Sequence, residues 1–221
     1  MNLSANTLVI DGSGSSLFAG LLDARGAWQA TALRDCAALE GLFPAVESIL
    51  KAANKDFADV DAYIYCEGPG SVLSLRLCAM AIETWRRLKP HPTTIYKYNS
   101  LQLAAHQCLA DKPDLSDALI VSDWKKGAWN ALTIRDRKVG PVTVLDDEEL
   151  AAWSGPLYHL PQRKGWQSPP PAATTIAHNP ACLERLHERP GLLQPTDSVE
   201  LYNTGVNTFR KWTPTRHRAP A

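Results

Sequence analysis

The residue order predicts an α/β protein of two tandem lobes, the second smaller and more irregular than the first. Three observations carry this. Short β-rich runs meander through residues 7–33, helical and strand patterns alternate through residue 109, and a second set of β-rich runs begins at Ala118. Proline divides the chain in the same sense: five of the sixteen precede residue 141 and eleven fall from Pro141 onward, so regular structure is expected to dominate the first two thirds.

Thr7-Leu8-Val9-Ile10-Asp11 reads as a first strand, broken by the turn residues Gly12-Ser13-Gly14-Ser15. Ser16 to Leu22 and Ala27 to Leu33 complete the meander around Asp23-Ala24-Arg25-Gly26. Leu39, Leu42, Phe43, Val46, Ile49, Leu50 and Ala53 recur at three- and four-residue steps and predict a helix from about Asp35 to Ala53. Pro44 lies inside it, so either the helix begins near Phe43 or it is kinked there. Asp61 to Cys66 reads as a strand and Gly68-Pro69-Gly70 as a sharp bend. Ser71 then caps a helix running to about Leu88. Thr93 to Tyr98 is another strand, and Ser100 caps a helix through Leu109. Ala118 to Ser122, Ala128 to Arg135 and Val139 to Leu145 form the second β-rich start, followed by acids at Asp146-Asp147-Glu148-Glu149 that suit the positive end of a short helix.

The first part of this order, βββαβαβα, is that of an RNase H-like unit, although other layered α/β plans share it. Two such units in tandem are the plan of the actin-like (ASKHA) fold. The expected lobes are residues 1–112 and 113–221, the second carrying Pro169-Pro170-Pro171 in a loop or polyproline II piece and a basic tail of Arg210, Lys211, Arg216 and Arg218.

The 221 residues carry 23 basic and 23 acidic side chains, a balance that argues against a global field for nucleic acid but leaves room for a local basic patch. No apolar run approaches the ~20 residues that span a bilayer, and the first residues carry no cation before an apolar stretch; a cytoplasmic protein is expected. Cys36, Cys66, Cys78, Cys108 and Cys182 include no Cys-x-x-Cys pair and read as buried thiols. The six histidines lack an i,i+4 pair, so neither a metal nor another cofactor is called for.

Two motifs invite a phosphate reading. Asp11 and Ser13 end the first strand in a small-residue turn suited to approach a nucleotide, although a capped hairpin explains the same residues. Leu17 stands where a dinucleotide fingerprint needs its third glycine. Gly68, Gly70 and Ser71 bend the chain before a helix N-terminus, where exposed amides favour an anion, but Val72 and Leu73 follow where a Walker loop needs Lys and Ser or Thr. Together these define a vestigial nucleotide site. An actin-like phosphotransferase or hydrolase, with Asp11 anchoring a metal, is the enzyme alternative. No nucleophile elbow or activated cysteine supports covalent catalysis.

The helix after the bend is apolar around most of its circumference, from Val72 and Leu73 through Leu77, Met80, Ala81, Trp85 and Leu88. Packing on one side of a sheet uses only a ~100° stripe, so the remainder calls for a cover from this chain or a partner.

Four segments resemble the bacterial TsaB (YeaZ) family of tRNA threonylcarbamoyladenosine synthesis. They are Ile10-Asp11-Gly12-Ser13, Gly68-Pro69-Gly70-Ser71 with Leu75-Arg76, Asn99-Ser100-Leu101-Gln102-Leu103-Ala104, and Asp123-Trp124-Lys125-Lys126-Gly127, which is similar to the family's Asp-Ala-Arg-Arg-Gly turn. The chain departs from the family at Val72, Leu73, Ser74, Leu77 and Cys78, where the pattern reads Phe-Thr-Gly before Leu-Arg-Ile-Gly, and at Glu67, where a basic residue is usual. The resemblance implies an actin-like protein without chemistry of its own and without a cofactor. It implies binding to a TsaD-type carbamoyltransferase paralogue and cooperation with a TsaE-type ATPase in modifying adenosine 37 of tRNAs that read codons starting with A. A homodimer is expected when the partner is absent, and contact with tRNA only indirectly or through the basic tail. The family's partner face uses the first two helices, which here carry Leu39, Leu42, Phe43, Val46, Leu73, Leu77, Met80 and Ala81.

Overall fold

The computed structural model describes residues 3–161 and 168–205. Strands β1 (Thr7–Asp11), β2 (Leu17–Leu22) and β3 (Trp28–Arg34) form the meander, with Asp11 opposite Phe18 across the first hairpin. Helix α1 (Ala38–Ala52) leads to β4 (Ala62–Gly68), α2 (Val72–Leu88) to β5 (Thr94–Asn99), and α3 (Ser100–Asp111) leaves the lobe. Strands β4 and β5 lie parallel to β1, giving the order β3-β2-β1-β4-β5 across the sheet.

Period-two alternation between two covered faces explains why the central strands are largely apolar. Leu8, Ile10, Tyr63 and Tyr65 face α1 and α2, whereas Val9, Ile64 and Cys66 face the opposite side. Each face has its own cover, so no residue of β1 or β2 reaches solvent.

Helix α1 begins at Ala38 rather than near Phe43 and runs through Pro44. The amides of Glu40 and Gly41 both reach the Ala37 carbonyl, which starts the helix without a side-chain cap. Pro44 lies on the exposed side, where water can satisfy the carbonyl that its missing N–H leaves over. Helix α3 also departs from expectation. Asn99, not Ser100, is its cap, accepting from the Leu101 amide at 3.0 Å, while the Ser100 hydroxyl donates to the Pro69 carbonyl at 2.7 Å.

The second sheet repeats the plan with β6 (Ala118–Lys125), β7 (Ala128–Arg135) and β8 (Lys138–Asp146), then α4 (Asp147–Ala151) and β9 (Leu157–Leu160), which lies parallel to β6. A two-residue β10 (Thr174–Thr175) closes the order β10-β9-β6-β7-β8. These are tandem actin-like lobes, the second reduced to one short helix after its meander. The acids at its start do cap that helix: Asp146 accepts from the Glu149 amide at 2.8 Å and Glu149 answers at 2.9 Å. Helix α3 lies between the lobes, with Leu103 in the first lobe's core and Leu101, Ala104, Ala105 and Cys108 packed on the second sheet.

The chain beyond β10 returns to the first lobe, so assigning everything after residue 112 to the second does not hold. Helix α5 (Leu183–Leu186) and the following Leu192 and Leu193 cover the side of the first sheet that α1 and α2 leave open. Strand β11 (Gln194–Thr196) then pairs antiparallel with the edge strand β5. The basic tail, and most of the segment before the triple proline, lie outside the described residues. Among the described residues no helix is long and apolar enough to cross a membrane.

Candidate functional site

The carboxyl ends of β1, β4 and β5 meet at one edge, the place where parallel α/β sheets gather ligand-binding loops. Asp11 sits there fully buried. It accepts from the Ser13 amide and hydroxyl, both at 2.7 Å, and from the Tyr98 hydroxyl, and His178 Nε2 lies 2.7 Å from its second oxygen. Burial alone would raise the Asp11 pKa, but the His178 charge and the hydrogen bonds from His178, Tyr98 and Ser13 outweigh it and hold the group at about 2.

This arrangement is internal. Both oxygens of Asp11 are engaged by the protein, which leaves little capacity for anchoring a metal. Among the described residues no three His, Cys, Asp or Glu are grouped to hold a metal ion. Ser13, Asp11 and His178 also do not form a nucleophilic triad. Ser13 Oγ and Asp11 approach the same ring nitrogen, at 3.0 and 2.7 Å, whereas a triad needs the acid on one nitrogen and the serine on the other.

The glycine bend is fastened to the same hairpin. The Ser71 amide donates to the Ser13 carbonyl at 3.0 Å, so one amide that an anion would use is already engaged. A Cβ on Gly70 would fall 2.5 Å from that carbonyl oxygen, so glycine is needed for the two backbones to approach. Gly12 makes the second close approach, against Ser74 and Cys78 of α2. These two positions, glycines in the TsaB pattern, thus face this chain's own hairpin. Asp11, Ser13, Gly70 and Ser71 come together as the sequence suggests; Gly68 forms the bend itself, with a φ of 110°. The sequence reading missed His178, because nothing near it in the chain signals a partner 167 residues away.

A cleft of about 630 Å³ opens beside this edge between the lobes, lined by Gly70, Ser71 and Arg76 on one side and Asp123, Trp124 and Asn130 on the other. Glu67 contributes a carboxylate, paired with Lys97 at 2.8 Å. On the second lobe, His159 Nε2 lies 3.4 Å from Asp123, and the Asn130 amide donates to the Asp123 carbonyl at 3.0 Å. Residues Leu201 to Thr204 reach the cleft from the returning chain, held by the Tyr202 amide on the Glu67 carbonyl at 2.8 Å.

The helix face divides the residues expected to meet a partner. Leu39 and Phe43 of α1 are 71% and 62% exposed, and Leu73 and Met80 of α2 are 68% and 66% exposed. Leu42, Val46 and Ala81, at 2%, 4% and 7%, are instead in the monomer's core and present nothing to a partner. Leu77 is half-buried against that core, so a charge there would disturb the monomer as well. The two helices are in contact, with the Phe43 ring edge-on to Trp85 at 5.9 Å. Beside them Phe43, Phe57 and Trp85 line an open groove of about 760 Å³.

All five cysteines are free thiols, and burial pushes Cys78 and Cys182 up to about 12.

No protein-family model and no curated protein matches the chain. Solved structures do. YeaZ from Pseudomonas aeruginosa superimposes with a TM-score of 0.59 at 18% identity, over 80% of this chain and 85% of that one. A crystal structure of an uncharacterized protein described as similar to peptidase YEAZ, from Pseudomonas aeruginosa, gives 0.58 at 18% identity with the same coverage. The likeness is one of fold, and it extends through both lobes.

Proposed function

We propose that the chain is a TsaB-like accessory subunit: it binds a TsaD-type carbamoyltransferase paralogue and, with a TsaE-type ATPase, supports threonylcarbamoylation of adenosine 37 in tRNAs reading codons that start with A. The observation that carries this is the exposed apolar face of Leu39, Phe43, Leu73 and Met80 on the first two helices of a fold shared with YeaZ. Each of four such side chains gains ~1.5–3 kcal/mol on full burial, and an association cost of ~4–15 kcal/mol would consume much of that gain, which favours a moderate affinity. A second copy of the chain would cover the same face when the partner is absent.

The internal engagement of Asp11 and of the Ser71 amide fits a subunit that leaves the chemistry to its partner. The test is co-expression with the cognate TsaD-type protein. Wild type is expected to co-purify with it, and Leu73→Glu with Met80→Glu to lose it while staying folded. Retention of the partner by the double variant overturns this face. An unchanged level of the modified adenosine in a deletion strain overturns the pathway.

A further inference from the structure

The chain has no net charge, so any hold on a polyanion must come from a local surplus of cations. One concavity has such a surplus. It lies where the last turns of α3, the β7–β8 hairpin and the loop after α5 meet, and it has a volume of about 420 Å³. Its ionisable lining is His106, Arg137, Lys138 and Arg189, with no carboxylate among the lining residues.

These cations differ in what holds them. The Arg137 guanidinium donates to the carbonyls of Pro113, Leu115 and Leu109, the second at 2.9 Å and the third at 3.1 Å, and so closes the end of α3. Its charge is fixed in place by a structural task. Asp136 and Arg137 both adopt positive φ, 47° and 61°, in the tight turn that delivers Lys138 to the rim. Among the described residues the side chains of Lys138 and Arg189 form no ion pair or hydrogen bond, so their charge is available. His106 is partly buried beside Arg189, and burial first, then the Arg189 charge, holds its pKa below the usual value.

We propose that this pocket seats a phosphodiester of an RNA backbone. On the exposed rim the Lys138 ammonium supplies a point charge and the Arg189 guanidinium a planar fork to a strand lying across it, rather than the enclosing cradle a free phosphate would need. The choice of RNA among polyanions rests on the tRNA-modification reading above; the anion site itself does not.

The test uses the full chain alone, with fluorescence anisotropy of a labelled RNA hairpin across a salt series. Lys138→Glu with Arg189→Glu is expected to weaken binding at least about tenfold, and the paired alanine variant to flatten the salt dependence by roughly two units of slope. Lys51→Glu with Lys55→Glu makes the same charge change at the far end of α1 and is the control. Equal affinity of the two glutamate variants overturns the proposal. An independent reading is the His106 imidazole NMR signal of the wild type, expected to move on RNA addition. Movement with inorganic phosphate but not with RNA also overturns the proposal, since the occupant is then a free phosphate. If Lys138→Glu with Arg189→Glu keeps the partner protein but RNA binding never depended on these residues, only this inference falls. If RNA binding does depend on them and no partner is retained, only the accessory reading falls.

Discussion

His178 Nε2 and Asp11 Oδ2 lie 2.7 Å apart although 167 residues separate them in the chain. The contact joins the segment returning from the second lobe to the hairpin that begins the first. Removing the imidazole leaves a buried carboxylate with only Tyr98 and Ser13. His178→Ala is therefore expected to cost about 3 kcal/mol or more in urea unfolding, with partial recovery in His178→Gln, which restores a donor.

Acid should find the same group. The folded pKa of Asp11 is lowered from 3.8 to about 2, so its contribution, about 2 kcal/mol, is complete above pH 4 and is lost as pH falls toward 2. An Asp11→Asn variant is expected to be less stable at neutral pH and to show a shallower loss of stability over that interval. Parallel urea titrations at several acid pH values check it.

Gly70→Ala is expected to lower stability by at least about 2 kcal/mol, because the new methyl would meet the Ser13 backbone at 2.5 Å. Gly14→Ala is the contrast. Its nearest neighbour would be His178 Cδ2 at 3.4 Å, ordinary contact, and thermal melts should show little change.

The two helix faces should separate in the same assays. Leu42→Ala is expected to cost about 2–5 kcal/mol, since that side chain is in the core. Leu39→Glu, on the open side, should leave the melting temperature nearly unchanged and reduce retention of the partner in pull-downs.

Asn99→Ala is expected to cost about 1 kcal/mol through loss of the α3 cap, measured by denaturant unfolding.

Local chemistry made the first lobe readable. Period-two runs, turn residues and the three- and four-residue apolar spacing placed β1 to β5 and the first three helices within a few residues of where they lie. The same spacing could not say which members of a broad apolar stripe face inward: Leu42 and Leu39 look alike in sequence, and only packing on Leu8 and Ile10 separates them. The cap of α3 went to Ser100 because both Asn99 and Ser100 are good capping residues, and the Pro69 carbonyl that claims the serine is distant in sequence. Strands β9 to β11 are short, and β11 contains Pro195, so pairing partners rather than propensity define them. The Asp11 cluster was half legible: Ser13 is local, but Tyr98 and His178 arrive through topology.

Because the polypeptide passes from the first sheet to the second through α3 and comes back through Ile176 to His178, the lobes hang from one another like a door on a pair of pins. A protease nick in either crossing alone would leave the halves attached, and they would part only after both were cut or the protein unfolded.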